Sequence, residues 1–302
     1  MELLRPGIFI DFMKYYKYAV ALSLILIALC LIWIFGVAGL NYGIDFSGGT
    51  EVQVAFKDDI KTDELRSTMT SVGFPNAVIQ SIGIASDHEF LIRTPTEGDT
   101  GYAAAKKIED GLGNAYGKDK VDIRGVNMVG AAVSQDLKRK GFMSLVIANG
   151  LLLIYIWFRF QFKYSIGAIL ALLHDVIITI GFFSFTGKEI SLTVIAAFLT
   201  IIGFSLNDTV VIYDRIRENI NKASGSSYDL GNLISASISQ TLGRTILTSM
   251  TVFIVCLCLF LFGGSVIHDF AFAMIVGVVA GVYSTVFIAS PLVLSLPGIK
   301  KL

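Results

Sequence analysis

The sequence predicts a membrane α-helical bundle with six transmembrane helices and one extracytoplasmic α+β domain between helices 1 and 2. Two observations predict this fold class. Hydrophobic residues make up 54% of the 302 residues and charged residues only 16%, whereas a soluble domain carries roughly 25% charged residues. The apolar residues are also concentrated in six runs, each close to the length of about 20 residues that crosses a bilayer.

The six apolar runs set the predicted spans. They cover residues 18–40, 141–158, 164–185, 190–213, 242–262 and 270–296. The first run exceeds the apolar core of roughly 7–15 residues that a signal peptide has, so we expect it to be retained as an anchor. The predicted organisation is a cytoplasmic N terminus with the first helix (1–40), an outer domain (41–136), and a five-helix bundle (137–302) with a cytoplasmic loop at 214–241.

Basic residues predict the orientation, because cytoplasmic loops of membrane proteins carry an excess of Lys and Arg. With alternating spans, most of the basic residues near span ends fall on one side: Arg5, Lys14, Lys17, Arg159, Lys163, Arg215, Arg217, Lys222, Lys300 and Lys301. We therefore expect a multi-pass protein of the cytoplasmic (inner) membrane with both termini in the cytoplasm. The basic cluster at 138–140 lies on the other side, after a long translocated segment, where the charge rule is weak.

The polar segment between the first two spans alternates strand and helix signals. Residues 51–56 alternate polar and apolar side chains, as a half-buried strand does. A helix is predicted at 62–72, where Thr62 begins an imperfect capping box. Strands at 77–84 and 89–93 follow around a turn at Ser86-Asp87, then a helix at 101–116 and a last strand at 121–129. The order βαββαβ is typical of a ferredoxin-like domain, and about 95 residues can form their own core.

Polar and ionisable residues inside the spans are the candidate functional residues, because each ionisable one costs roughly 2.5–3.5 kcal/mol on insertion. They are His174 and Asp175 in the third span, Asn207 and Asp208 in the fourth, and Arg244 at the start of the fifth. Counting at 1.5 Å per residue places Asp208 and Arg244 at one depth, roughly 30 Å below the outer surface. We therefore expect a salt bridge between them inside the bundle.

Each of these sites has more than one interpretation. Asp208 and Arg244 are a titratable pair whose proton state is linked to movement, a static ion pair that fixes helix register, or side chains that snorkel to the lipid headgroups. His174 and Asp175 are either part of the same proton relay or a hydrogen-bonded contact that packs two helices. A GxxxG pattern in the sixth span, Gly277 and Gly281, predicts close helix packing.

Several function classes are excluded by motif content. The sequence has no Walker, GxSxG or HExxH motif and no Cys–His nucleophile arrangement. Its three cysteines lie in apolar runs without zinc spacing, so neither a metal nor a cofactor is predicted. The net charge is zero, and no clustered basic face suggests a nucleic-acid partner.

Four segments together resemble the SecD/SecF family of protein-export membrane proteins. They read GIDFSGGT at 43–50, ALLHDV at 171–176, NDTVVIYDRIRE at 207–218 and QTLGRT at 240–245. The motif at 207–218 is the most specific and is closest to the SecF branch. In the first segment, Gly43, Asp45, Gly48 and Gly49 form the family signature. We interpret this signature as structural, with glycines at φ values that other residues resist and Asp45 accepting backbone N–H groups.

The resemblance implies a function that the residues alone do not. Members of the SecF branch pair with SecD in an arrangement like that of the resistance-nodulation-division (RND) superfamily. They work with the SecYEG translocon, in many bacteria with YajC. They are expected to use the proton gradient, or sodium in some relatives, to move an outer domain that pulls or holds an unfolded translocating polypeptide. The ion-coupling residues of the family map onto Asp208 and Arg244.

Two other functions remain as alternatives. An RND-type small-molecule efflux subunit would usually have larger outer domains and both halves in one chain. A membrane enzyme using His174 and Asp175 would need a nucleophile or metal set, and none is present in the sequence. We therefore predict a non-enzymatic export subunit.

Overall fold

The computed structural model describes residues 9–82, 88–95, 101–160, 162–223 and 228–295. The predicted turn at Ser86-Asp87, the end of the strand predicted at 77–84 and the last residue of the sixth predicted span lie outside these residues. The chain forms two compact units. We call Met1–Asn41, Ser144–Lys188 and Thr193–Leu302 the helical unit, and Tyr42–Met143 with Glu189–Leu192 the α/β unit.

Helices predominate along the chain, and short strands lie mainly between the first two long helices. In chain order the elements are α1 (Tyr16–Ile32), β1 (Asn41–Tyr42), α2 (Ile44–Ser47), β2 (Gly49–Phe56), α3 (Thr62–Ser71), β3 (Val78–Ile82), β4 (Glu89–Thr94), α4 (Gly101–Tyr116), β5 (Val121–Val129), α5 (Ala131–Arg159), α6 (Phe162–Thr186), β6 (Glu189–Ile190), α7 (Leu192–Ala223), α8 (Leu230–Phe262), α9 (Gly264–Ser284) and α10 (Ser290–Ser295). Single π-helical turns, Trp33–Val37 and Thr285–Ala289, follow α1 and α9.

Six helices are long and apolar enough to cross a membrane within the described part of the chain, which confirms the six predicted spans. The third, fourth and sixth of these are 56, 50 and 56% buried over their most apolar windows, whereas the first, second and fifth are 11, 11 and 17% buried. The core of the helical unit is therefore built around α6, α7 and α9, and the other three helices expose most of their apolar surface.

The fourth and fifth spanning helices are longer than the predicted spans. α7 continues to Ala223 and α8 begins at Leu230, so most of the predicted 214–241 loop is helical. Apolar residues four positions apart explain the extension: Ile216 and Ile220 on α7, and Ile234 and Ile238 on α8, are all buried in the helical core. Such a stripe stabilises a helix through the face that it buries.

The glycine pattern in α9 has the packing role that the sequence predicts. A Cβ atom at Gly277 would collide with the Ile201 side chain of α7, and one at Gly281 would lie 3.1 Å from Ser205 Cβ. The absence of side chains at these two positions therefore lets α9 approach α7 closely, which brings polar side chains of the two helices within hydrogen-bonding distance.

The α/β unit contains a four-stranded sheet with the order β3-β4-β2-β5 and antiparallel pairing throughout. In β2, Val52 pairs with Ile92 of β4 and with Val126 of β5. The face that carries Val52 and Ile92 packs against α3 and α4 through Leu65 and Ile108, and all four side chains are fully buried. The second hydrophobic core of the chain lies between this sheet and the two helices.

The start of α3 differs from the capping box that the sequence predicts. The N-cap is Lys61, without a side-chain hydrogen bond, and Thr62 is the first helical residue. The prediction is wrong because a capping box that starts at Thr62 needs Glu or Gln three residues later, and the residue there is Leu65. Asp63 and Glu64 in the first turn instead stabilise the helix through its dipole.

The signature glycines differ in conformation. Gly48 and Gly49 have φ values of 73° and 134°, which glycine adopts without a steric penalty. A Cβ atom at Gly49 would also collide with the carbonyl oxygen of Thr94. Gly43 has φ −64°, so the predicted unusual φ is found at two of the three glycines.

Candidate functional site

Asp175 lies at the centre of a hydrogen-bonded cluster in the helical unit. Its Oδ2 accepts hydrogen bonds from Ser205 Oγ of α7 at 2.7 Å and Ser284 Oγ of α9 at 2.9 Å. Its Oδ1 lies 3.0 Å from Nδ1 of His174, the preceding residue on α6. Asp175 is 1% exposed and His174 is 4% exposed. The carboxylate therefore has three polar partners and joins three helices, and we call this group the Asp175 cluster.

The Asp175 cluster continues through His174 to the first helix. The imidazole of His174 stacks on the ring of Tyr283, with centroids 6.0 Å apart. The Tyr283 hydroxyl donates a hydrogen bond of 2.7 Å to the Ala19 carbonyl and lies 3.3 Å from Ser23 Oγ, both on α1. Among the described residues, His174 Nε2 has no hydrogen-bond partner. The cluster thus connects α1, α6, α7 and α9.

Asp208 on α7 has a different environment, although it is equally buried at 2% exposure. Its Oδ2 lies 3.5 Å from Ser249 Oγ of α8, a distance at the limit of a hydrogen bond. Within the described part of the chain this is the only side-chain hydrogen bond that the carboxylate makes. One turn before Ser249, the Thr245 hydroxyl is buried without a described partner. Asp208 is therefore held much less firmly than Asp175.

Arg244 does not form the predicted salt bridge with Asp208 in this structure. Arg244 is exposed, and no ion pair joins it to Asp208 among the residues that the structure describes. The physical reason is rotational: equal depth does not fix which side of a helix faces its neighbour. Ser249, and not Arg244, is the α8 side chain that contacts the carboxylate.

Several polar or small residues of α7 and α8 lie on the exposed surface within the spanning segments. We call these residues the exposed polar stripe: Thr200, Gly203, Asn207, Arg244 and Thr251. A Cβ atom at Gly203 would have no neighbour within 4 Å. Polar side chains in a membrane normally face protein or a water-filled cavity, so this surface is unsuited to contact with lipid tails. The predicted site residue Asn207 belongs to this stripe and not to the buried cluster.

Three hydroxyl residues that make contacts between these helices are not among the residues that the sequence predicts. They are Ser284, Ser249 and Thr285. Thr285 starts the π-helical turn and its Oγ1 lies 3.0 Å from Thr209 Oγ1 of α7. For Ser284 a signal existed, because Gly277, Gly281 and Ser284 follow a spacing of four and three residues and share one face of α9. For Ser249 and Thr285 the sequence carries no comparable signal.

The family signature lies in the α/β unit and contacts residues far along the chain. The Gly43 N–H donates to the Ile190 carbonyl at 3.0 Å. Asp45 Oδ2 accepts a hydrogen bond of 2.8 Å from the Leu192 N–H, and Leu192 is the first residue of α7. Asp45 therefore accepts a backbone N–H as the sequence predicts, but from a helix that begins 147 residues later.

Comparison with known proteins identifies the family. Residues 110–298, more than half of the chain, match the model for the protein export membrane protein SecD/SecF, C-terminal, and residues 33–60 match the SecD/SecF GG motif. The protein translocase subunit SecF of Desulfurispirillum indicum is 43% identical over 93% of this chain and 90% of that protein. The subunit of the same name from Calditerrivibrio nitroreducens is 40% identical over 100% of this chain and 98% of that protein.

A solved structure is similar over nearly the whole chain. The crystal structure of SecDF, a translocon-associated membrane protein from Thermus thermophilus, is matched with a TM-score of 0.84 and 35% identity over 97% of this chain. This chain spans 39% of the length of that SecDF chain. With six helices that are able to span a membrane and full-length SecF relatives, it is a multi-pass membrane protein, and it belongs to the SecD/SecF family.

Proposed function

We propose that this chain is the SecF-type subunit of a SecDF complex and couples an ion gradient to Sec-dependent protein export. The ion is a proton, or sodium as in some members of the family. The observation that carries the proposal is the environment of Asp208, a carboxylate that is 2% exposed on a spanning helix and has one hydrogen bond of 3.5 Å. The names of the relatives, all protein translocase subunits, support export over the efflux alternative.

Asp208 suits a coupling role because its anion is poorly compensated. A carboxylate inside the membrane that lacks strong donors becomes more stable either by binding a proton or by pairing with a cation. Arg244 supplies that cation, since its side chain is long and not held by an ion pair to Asp208. Proton occupancy of Asp208 then decides whether Arg244 is drawn toward it, and the resulting shift of α7 and α8 is the movement that export uses.

We assign His174 and Asp175 a supporting role in the same function. The three partners of Asp175 lie on three helices, so a change in this carboxylate would require several helices to rearrange. The Asp175 cluster then holds α6, α7 and α9 together while Asp208 changes its state. This assignment agrees with the interpretation of His174 and Asp175 as a hydrogen-bonded contact that packs helices together.

The exposed polar stripe supports SecD as the partner in the membrane. Because Asn207 and Arg244 are exposed in this chain, we infer that helices of SecD cover them and that a SecD carboxylate faces Arg244. SecYEG, YajC and an unfolded polypeptide are the further partners that the family implies. Both termini are proposed to be cytoplasmic, as the basic residues predict, and no catalytic reaction is assigned to the chain.

We further infer that the α/β unit is a ferredoxin-like domain on the outer side of the membrane. The element order β2-α3-β3-β4-α4-β5 and the sheet order β3-β4-β2-β5 support this inference, since they agree with the βαββαβ pattern. This domain is the part that would move and hold the translocating polypeptide.

The coupling role of Asp208 is tested with Asp208→Asn in membrane vesicles that contain the complete export machinery. We expect export to fall to the level measured without an ion gradient, while the amount of assembled complex is unchanged. The matched control is Asp214→Asn on the same helix, because Asp214 is a half-exposed carboxylate that pairs with Arg159 at 2.9 Å. Gradient-dependent export by Asp208→Asn at the wild-type rate would refute the proposal.

A further inference from the structure

The segment Glu189–Leu192, which connects α6 to α7, belongs to the compact α/β unit. We call it the 189–192 loop. Two hydrogen bonds hold its backbone to the family signature: the Gly43 N–H donates to Ile190, and the Leu192 N–H donates to Asp45. A third contact is an ion pair between Glu189 and Arg93 of β4. The loop is therefore fixed at three points, two of them made by side chains.

The Arg93–Glu189 ion pair is largely shielded from solvent. The side chains of Arg93 and Glu189 are 13% and 8% exposed. Arg93 Nε also donates to Glu51 Oε2 at 2.7 Å, directly across the register of β2 and β4. The other oxygen of Glu51 accepts from Asn127 Nδ2 of β5 at 3.1 Å. Arg93 thus lies between one carboxylate of the sheet and one carboxylate of the loop.

A buried ion pair of this kind is a weak source of net stability, because desolvation of the two charges offsets much of their attraction. Its stronger effect is geometric, since removing one partner leaves an uncompensated charge, and the hydrogen bond from Arg93 Nε to Glu51 holds the guanidinium in place beside Glu189. Arg93 therefore attaches the 189–192 loop to the middle of the sheet in one defined arrangement. Apolar side chains could have stabilised the contact between the loop and the sheet equally well.

The loop leads directly into the helix that carries the proposed coupling residue. α7 begins at Leu192, and Asp208 follows sixteen residues later, about 24 Å along the helix at 1.5 Å per residue. α7 is continuous between the two positions, so a displacement of Asp208 along the helix axis would be carried to the 189–192 loop. From there it passes to β4 through Glu189 and Arg93, and to the family signature through Asp45.

We propose that the Arg93–Glu189 ion pair and the Asp45 cap of α7 form a coupling joint, through which the sheet moves together with the Asp208 helix. This proposal rests on the proposed function, because it assumes that Asp208 binds the coupling ion. It assigns Arg93, Glu189 and Asp45 as positioning residues for export. None of them contacts the ion.

The test compares Glu189→Gln, Arg93→Gln and the double exchange Arg93→Glu with Glu189→Arg, in vesicles containing the complete export machinery. Export and proton uptake are both measured, and their ratio is the readout. We expect Glu189→Gln to lower export per proton roughly tenfold, within the usual range of coupling free energies, while proton uptake continues. The double exchange restores an opposite-charge pair between positions 93 and 189. We expect it to recover part of the ratio, because it also places two carboxylates opposite each other at positions 51 and 93.

The matched control is Arg124→Gln in the same sheet, where Arg124 pairs with Asp122 of its own strand at 2.9 Å. We expect this control to export at the wild-type ratio. The proposal is overturned if Glu189→Gln keeps that ratio, or if the double exchange is no better than the single variants. Should Arg93→Gln fail to accumulate, Glu189→Gln and the double exchange decide the question.

The same vesicles separate this proposal from the proposed function. Asp208→Asn, measured in parallel, tests the coupling residue itself. If Asp208→Asn loses gradient-dependent export while Glu189→Gln keeps the wild-type ratio, the joint is refuted and the proposed function stands. If Asp208→Asn exports normally, the proposed function is refuted, and with it the joint.

Discussion

Asp175 and Asp208 are buried carboxylates on two spanning helices of the same core, but their hydrogen bonds differ. Asp175 has two serine donors at 2.7 and 2.9 Å and a histidine nitrogen at 3.0 Å. Asp208 has one serine hydroxyl at 3.5 Å. Burial therefore does not distinguish the two carboxylates. The number and length of their hydrogen bonds do, and the coupling role that we propose for Asp208 rests on that difference.

The difference has an energetic consequence. Hydrogen bonds to a charged group each contribute about 1.5–3 kcal/mol, whereas a long contact contributes little. A change of proton state or partner at Asp175 must break several short hydrogen bonds that join α6, α7 and α9. The same change at Asp208 breaks only one long contact with α8. For this reason we propose that Asp208, and not Asp175, is the residue that changes its proton state or its partner.

The largest expected effect is a difference in the free energy of unfolding between variants of the two aspartates. We expect Asp175→Ala to lower the free energy of unfolding by about 3 kcal/mol, because Ser205, Ser284 and His174 lose their shared acceptor. Asp208→Ala should change it by about 1 kcal/mol or less, since only the weak contact with Ser249 is lost. Chemical unfolding of the purified complex in detergent measures both values. Equal losses for the two variants would contradict the comparison.

A smaller effect should appear when the serine partners are compared. Ser284→Ala removes a donor at 2.9 Å from Asp175, and we expect a loss of about 1.5 kcal/mol. Ser249→Ala removes the 3.5 Å contact with Asp208, and we expect a loss of less than about 0.5 kcal/mol. Both variants replace a helical serine by alanine, so each serves as the control for the other. A larger loss for Ser249→Ala would show that Asp208 is the more firmly held carboxylate.

The sequence predicts the fold better than it predicts the ends of the helices. Length and hydropathy are sufficient for the six spanning helices, because a bilayer requires them. The extensions of α7 and α8 lie outside the apolar runs, so hydropathy misses them. The spacing of four residues between Ile216 and Ile220, and between Ile234 and Ile238, fits these extensions. Two apolar residues are too few to predict a helix by themselves. In the segment between the first two spans, strand and helix periodicity predicts the order of elements but not the pairing of β2 with both β4 and β5.

The sequence predicts the residue types of the candidate site but only part of their arrangement in space. Residue counting gives depth along a helix but no rotation about its axis, and the predicted contact between Asp208 and Arg244 depends on that rotation. The partners of Asp175 come from α7 and α9, 30 and 109 residues away. The Arg93–Glu189 pair likewise joins strand β4 to a short connection between two spans. Such contacts depend on tertiary packing, and a single sequence carries no local signal for them.

Infrared difference spectroscopy of the complex between low and high pH tests the central claim most directly, because it detects the protonated carboxyl group itself. We predict a carboxyl band that appears on acidification, is absent in Asp208→Asn and is retained in Asp175→Asn. A band that persists in Asp208→Asn, or one that disappears in Asp175→Asn, would contradict the assignment of Asp208 as the residue that binds the coupling proton.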